Sequence, residues 1–358
     1  MKKLIFSLIL SIGLMASGSY AGNKPDKEVQ KAFELRMNGK VDEAKAMLEG
    51  ILAKDSTNAM AHYEMARLKL YMLIGGGKVS LDEITISADK AVTFDPKNVI
   101  YAYYKALASF MNAFMSMEMG QGEVKGKVAE TAIQFEKVLT LKPDYSEAML
   151  YLVDIYGSLP KDMGGDSIKA VAYAGKLEGM DKFFGAKAKA VLAPESTDRL
   201  KYWEELLVKN PKSPEYLREA GKACLFKDEI AKAEKYFDEA IKANPSNNIL
   251  ILDLARYHMM KVMQNQDLAK TELPVAKTYL EKYLKTLPEP IVPMKAWTLG
   301  AMSMVERFLG NQAECDKLIE QATAMDKYFS RASGLPMLLL FDPPSEISHH
   351  YFSFFSPF

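Results

Sequence analysis

Apolar residues recur along this chain at steps of three and four, the spacing of one face of an α-helix. A representative segment is 228–243, whose apolar face consists of Ile230, Ala233, Phe237, Ala240 and Ile241. Charged residues fill the opposite face, and no run of useful length alternates with the period of a β-strand. The pattern predicts an all-α protein built from amphipathic helices.

The helices also repeat a fixed series of small, apolar and closing residues. The series of steps twelve, four, three and five runs through Gly221, Ala233, Phe237, Ala240 and Pro245, and again through Ala32, Ala44, Leu48, Ile51 and Ser56. Its ending recurs before Pro96, Pro143, Pro211 and Pro288. Pro211 and Pro245 lie 34 residues apart, whereas other intervals are longer. We expect the small residues to lie where helices cross and the prolines to stop each second helix.

This series resembles the tetratricopeptide repeat family, whose unit is a helix–turn–helix with small residues at its crossings. The resemblance covers roughly residues 25–327 and is specific in the 25–58 and 214–247 units. It implies a right-handed α-solenoid of about eight antiparallel helix pairs, spanning 22–327. It also implies a concave groove, lined by the first helix of each pair, that takes a partner peptide or helix.

The first 21 residues have the features of an export signal. Lys2 and Lys3 precede the apolar stretch 4–14, and Ser19-Tyr20-Ala21 supplies small residues for cleavage after Ala21. The apolar stretch is shorter than the roughly 20 residues that a membrane-spanning helix needs. We therefore expect a periplasmic protein, with secretion as the alternative and no transmembrane span.

Charge and residue counts exclude several classes of function. The chain has 46 basic and 46 acidic residues, and removal of residues 1–21 takes away two lysines, leaving 44 against 46. A nucleic-acid partner favours a strong basic excess, so none is expected. Four histidines and no recognisable catalytic motif argue against an enzyme and against a cofactor or metal site. We expect Cys224 and Cys315 to be buried free thiols.

The resemblance places particular side chains in the groove. The expected partner-binding residues are Arg36, Tyr63, Arg67, Arg218, Lys222 and Arg256. Their guanidinium and ammonium groups suit an acidic segment or a C-terminal carboxylate, and the alternative is that they are ordinary solvated residues. The residues expected at the repeat crossings and ends are Ala32, Ala44, Gly221, Ala233, Phe237, Ala240 and Pro245.

Residues 328–358 form an apolar and aromatic C-terminal tail without the repeat pattern. So much apolar surface is costly to leave in water, and we expect it to dock. The docking residues are Leu338, Leu339, Phe341, Tyr351, Phe354 and Phe358. Two alternatives stay open, a cap on the chain's own last helices and docking on a partner or peripherally on an envelope membrane.

The function predicted from the sequence is that of a non-catalytic periplasmic scaffold for protein–protein interaction. One alternative is an accessory subunit of a solute transporter of the TRAP type, because some periplasmic tetratricopeptide proteins have that role. Another is a copper binder built on the methionines Met111, Met115 and Met119, since thioethers suit Cu(I). A third is a hydrolase with an unrecognised site. Partner identity and oligomeric state do not follow from the sequence.

Overall fold

A computed structural model of the protein describes residues 26–118, 120 and 123–330. This part of the chain contains sixteen α-helices and no β-strand. The predicted all-α fold is confirmed. The export signal and the tail-docking residues Leu338, Leu339, Phe341, Tyr351, Phe354 and Phe358 lie outside the described residues. Those parts of the domain division stay predictions.

The chain divides into two compact units. The helices mainly of the first unit are α1 (Lys27–Met37), α2 (Val41–Lys54), α3 (Ala59–Ile74), α4 (Leu81–Phe94), α5 (Val99–Glu118), α6 (Val124–Leu141), α7 (Ser146–Ser158), α8 (Ser167–Met180) and α9 (Lys182–Leu192). The second unit contains α10 (Arg199–Lys209), α11 (Pro214–Phe226), α12 (Ile230–Ala243), α13 (Leu250–Gln264), α14 (Ala269–Leu284), α15 (Val292–Phe308) and α16 (Gln312–Met325).

Side-chain caps start several of these helices. The Asn58 side chain accepts from the Ala61 amide at the start of α3, and the Ser80 side chain forms a capping box with Glu83 at the start of α4. Ser213 caps α11 and is followed by Pro214, a residue suited to the first helical position. These caps satisfy backbone N–H groups that have no partner within the helix, so each helix begins at a defined residue.

Neighbouring helices pack as antiparallel pairs within each unit. In the first unit α3 packs on α4, α5 on α6 and α7 on α8, and in the second unit α11 packs on α12, α13 on α14 and α15 on α16. Gly221 and Phe237 show why the crossings need small residues. A Cβ atom added to Gly221 would lie 2.4 Å from the Phe237 ring. Ala32, Ala44, Ala233 and Ala240 are fully buried, whereas Pro245 is exposed and begins a short 3-10 helix after α12.

Helix α9 departs from simple pairing. It packs on both α7 and α8, while α10 packs on α11. Asp181 ends α8 and its side chain also accepts from the Phe183 and Phe184 amides at the start of α9. A Cβ on Gly185 would lie 2.6 Å from the Glu178 Cα, so this glycine allows α9 to lie close against α8. The first unit therefore ends on a packed group of three helices.

Hydrogen bonds between carboxylates and tyrosines join α10, α12 and α14 in the second unit. Glu204 on α10 accepts from Tyr236 at 2.8 Å and from Lys232 at 2.5 Å, both on α12. Glu234 on α12 in turn accepts from Tyr279 on α14. Burial and the bond to Glu204 raise the pKa of Tyr236 to about 12, so this phenol stays a donor. The contacts fix the register of α10, α12 and α14.

Candidate functional site

Three residues predicted to bind a partner, Arg36, Tyr63 and Arg67, meet in the first unit around one buried carboxylate. Glu64 Oε1 lies 2.7 Å from Arg36 Nε, and Glu64 Oε2 lies 3.1 Å from Arg67 Nη1. The exposed fractions of the three side chains are 1% for Arg36, 0% for Glu64 and 8% for Arg67. Both oxygens of the carboxylate are thus engaged by guanidinium groups that have been removed from water.

Aromatic rings cover these guanidinium groups. Arg36 and Arg67 lie over the Phe33 ring, with their Cζ atoms 5.3 and 5.2 Å from its centroid. Arg36 also lies 5.7 Å from the Tyr71 centroid, and Arg67 lies 5.3 Å from that of Tyr63. Cation–π attraction of this kind offsets part of the cost of burying charge. The rings therefore hold the two guanidinium groups in fixed positions.

Tyrosines extend the site from α3 to α5. The Tyr63 ring lies 4.9 Å from that of Tyr101 and meets that of Tyr104 edge-on at 5.3 Å, measured between centroids. The Tyr104 side chain is partly buried, and its hydroxyl is shielded from solvent without a hydrogen-bond partner among the described residues. Burial raises the pKa of Tyr63 and Tyr104 well above the ordinary value, although Arg67 opposes the shift. Both phenols therefore stay protonated and able to donate.

We refer to these side chains together as the arginine–tyrosine cluster, formed by Phe33, Arg36, Tyr63, Glu64, Arg67 and Tyr104. The cluster is rich in donors, because it combines two guanidinium groups with protonated phenols. Its carboxylate already accepts from both arginines. A group that brings its own acceptor oxygens, such as a carboxylate, complements such a site, whereas a cation does not.

Sequence reasoning identified half of this cluster. It named Arg36, Tyr63 and Arg67, which the structure brings together, and it missed Phe33, Glu64 and Tyr104. Glu64 carries a local signal, because it precedes Arg67 by three residues on the same helix and can pair with it. Tyr104 carries none, since its contact with Tyr63 joins helices about forty residues apart in sequence.

The three remaining predicted residues lie in the second unit on α11 and α13. Arg218 Nη2 lies 3.2 Å from Glu219 Oε1, and Arg256 Nη1 lies 2.6 Å from Asp253 Oδ1. The side chain of Lys222 is buried. Each arginine is thus bound to a carboxylate on its own helix, and a partner's carboxylate would have to compete with it. Their role in binding stays a prediction.

A histidine and a glutamate form a second polar site in the same unit. His258 Nδ1 on α13 lies 2.5 Å from Glu272 Oε2 on α14, and Lys261 Nζ lies 3.3 Å from Glu272 Oε1. Although desolvation opposes it, hydrogen bonding to His258 and Lys261 lowers the pKa of Glu272 below its ordinary value. This geometry ties α13 to α14.

The methionines considered for copper are placed differently from one another. Met111 is 2% exposed in the core and Met115 is partly buried, while Met119 lies outside the described residues. Within the described ranges no three His, Cys, Asp or Glu side chains are grouped to hold a metal ion. Cys224 and Cys315 are buried free thiols, as the sequence predicts.

Membrane insertion has no support from the helices of residues 26–118 and 123–330, none of which combines the length and apolar character needed to cross a bilayer.

Comparison with known proteins gives likeness only at the level of solved structures. No protein-family model matches the chain, and no curated protein matches it in sequence. A tetratricopeptide repeat protein from Parabacteroides merdae is 14% identical, with 88% of this chain and 96% of that chain covered and a TM-score of 0.34. MamA is 18% identical, with 60% and 95% covered and a TM-score of 0.30. PilF from Pseudomonas aeruginosa is 15% identical, with 74% and 92% covered and a TM-score of 0.31.

With TM-scores this low, these likenesses carry no information on a partner, and the repeat within the chain is the firmer guide. Successive helices pack in pairs within each unit, and buried Ala or Gly residues lie where they cross. In fold, the described part of the chain is of the tetratricopeptide-repeat type.

Proposed function

We propose that this protein is a non-catalytic scaffold, and that the arginine–tyrosine cluster holds an acidic side chain or C-terminal carboxylate of a partner polypeptide. One observation carries the proposal. The solvent-shielded Tyr104 hydroxyl, without a hydrogen-bond partner among the described residues, lies beside a donor-rich group whose only carboxylate accepts from both arginines.

The energetics favour a partner that carries charge. A buried donor without an acceptor costs about 1–3 kcal/mol, and a hydrogen bond to a charged group contributes about 1.5–3 kcal/mol. A carboxylate accepting from Tyr104 would remove that cost and would lie in the positive field of Arg36 and Arg67. A neutral amide of a partner could also accept from Tyr104, but it would gain no attraction from the charges of Arg36 and Arg67.

The same proposal includes location. We infer export to the periplasm after cleavage behind Ala21, because residues 1–21 combine a basic start, a short apolar stretch and small residues at the cleavage positions. The partner is then another protein of the cell envelope. N-terminal sequencing of the protein from a periplasmic fraction should give Gly22 as the first residue, and retention of residues 1–21 would contradict this.

Calorimetry with the full mature chain tests the binding site. The probe is acetyl-Gly-Ser-Glu-Glu-Asp with a free carboxyl terminus, and the control peptide replaces its acids with Gln and Asn and is amidated. We expect the acidic peptide to bind and the neutral one to bind at least about tenfold more weakly, the difference that one charged hydrogen bond makes.

The decisive variant is Tyr104→Phe, which keeps the ring and removes the hydroxyl. The variant should bind the acidic peptide about tenfold more weakly than wild type does. Its melting temperature should be unchanged or higher, because no described hydrogen bond is lost. Tyr236→Phe in the second unit is the matched control and should leave peptide binding unchanged. Equal affinity of wild type and Tyr104→Phe would refute the site.

A further inference from the structure

Helix α8 has two apolar faces, and the described residues of its unit cover only one of them. Ala170, Ala174 and Leu177 are buried, and α8 packs on α7 and α9. On the other side Ile168 is 83% exposed and Val171 is 63% exposed. A helix that is apolar on opposite faces is normally buried on both. The outer face of α8 therefore has the composition of a second packing surface.

The outer face is continuous along the helix. Ile168, Ala172, Gly175 and Gly179 are all exposed and follow one another at steps of four, three and four, so they share one stripe. Lys169 and Lys176 flank the stripe on one side, and Val171 and Glu178 flank it on the other. The stripe thus has one large residue, Ile168, at its N-terminal end, glycines at its C-terminal end and opposite charges on its two flanks.

Packing among the described residues gives no reason for the two glycines. A Cβ added to Gly175 or Gly179 would meet nothing within 4 Å. Gly175 lies in the interior of α8, where a glycine costs about 1 kcal/mol relative to alanine. Small residues at this spacing let the backbone of a second helix approach closely, and that approach would account for them.

We propose that the outer face of α8 pairs with α8 of a second copy of this chain, the two helices lying parallel about a two-fold axis. The charges decide both the occupant and the direction. In a parallel two-fold pair, the flank with Lys176 faces the flank with Glu178 of the other copy. An antiparallel pair would instead bring the Lys169 and Lys176 flanks of both copies together.

The neighbours of Lys176 and Glu178 leave these two charged groups available. Glu178 lies 2.5 Å from Lys189 of α9, but both side chains are more than half exposed. Such surface pairs contribute little, so exchange with Lys176 of the second copy costs little. Lys176 lies over the Tyr173 ring at 5.3 Å, near the outer face. The proposal is independent of the arginine–tyrosine cluster.

One helix pair buries less area than the roughly 800 Å² per partner of a standard interface. The predicted dimer is therefore weak, with a dissociation constant in the range of about 10–100 μM. Sedimentation equilibrium of the full mature chain from about 1 to about 300 μM covers this range and measures the mass directly.

The principal variant is Gly175→Leu. Because its side chain points into open space, the variant should fold and melt at the same or a higher temperature, and it should be a monomer throughout the concentration range. Lys176→Glu alone should raise the dissociation constant of the dimer several-fold. The double variant Lys176→Glu with Glu178→Lys should return the constant to the wild-type value. Val208→Ser is the matched control, since Val208 is 82% exposed on α10 and should have no effect.

Three results would overturn the proposal. They are a wild-type chain that stays monomeric at about 300 μM, a Gly175→Leu variant that dimerises like wild type, and an equal loss of association with Val208→Ser. A monomeric wild type would assign the outer face of α8 to a different protein and not to a second copy.

Discussion

Glu64→Gln is the sharpest test of how the arginine–tyrosine cluster is held together. The change keeps the shape of the side chain and removes its charge. The amide oxygen can still accept from one guanidinium group, but the amide nitrogen then faces the other as a second donor. Arg36 and Arg67 are only 1% and 8% exposed, so water cannot replace the lost interaction.

Removing one partner from a buried ion pair costs about 3–5 kcal/mol. That is a large share of the 5–15 kcal/mol by which folded domains are stable. We expect Glu64→Gln to lower the free energy of unfolding of the first unit by this amount. Hydrogen exchange of the α1 and α3 amides, measured on the full chain, reports this loss for the first unit separately from the second.

Two further variants give the result its meaning. Glu204→Gln removes a carboxylate from a largely solvated pair, since the side chains of Glu204 and Lys232 are 33% and 41% exposed. This change should lower the free energy of unfolding by at most about 1 kcal/mol. Replacing all three charges at once, as Arg36→Met, Glu64→Leu and Arg67→Met, should recover most of the stability, because no buried charge is left without its partner. If Glu64→Gln lowered the free energy of unfolding no more than Glu204→Gln does, this account of the cluster would be refuted.

Other predictions concern packing, pH and thiol reactivity. Gly221→Ala should lower the melting temperature, because its Cβ would lie 2.4 Å from the Phe237 ring; an unchanged temperature would show that the ring moves freely. Lys277 lies 2.6 Å from Glu306 and lowers the pKa of that carboxyl, so the pair stabilises the fold above the ordinary glutamate pKa and ceases to do so as the pH falls through the lower folded value. Lys277→Met should therefore lower the urea midpoint more at pH 7 than at pH 3, and an equal loss at both would contradict the assignment. Burial raises the pKa of Cys224 to about 12, so an aromatic disulfide reagent at pH 8 should label it only after denaturation.

The fold was predictable because its signals are local. The spacing placed Gly221 and the alanines at the helix crossings, since helix geometry converts steps of three and four into one face. The position of α9 was not predictable in the same way. It depends on the approach of Gly185 to the α8 backbone, which no periodic pattern records.

The candidate site was predictable only in part. The repeat resemblance gave Arg36, Tyr63 and Arg67. The bridging role of Glu64 was not predictable, because it depends on a contact with Arg36, which lies 28 residues away in sequence. The burial of these side chains was not predicted either, because an arginine in sequence does not show whether a carboxylate and three aromatic rings surround it. The outer face of α8 was missed for the opposite reason, since apolar residues on two faces of a helix favour the interpretation of a core helix.

The central claim is that a carboxylate-bearing segment binds at the arginine–tyrosine cluster. The most direct measurement is hydrogen–deuterium exchange of the full mature chain with and without acetyl-Gly-Ser-Glu-Glu-Asp. The account predicts slower exchange in α1, α3 and α5 on binding, and no such change in the Tyr104→Phe variant at the same peptide concentration. Slower exchange confined to α11 and α13, or the same protection in both proteins, would contradict it.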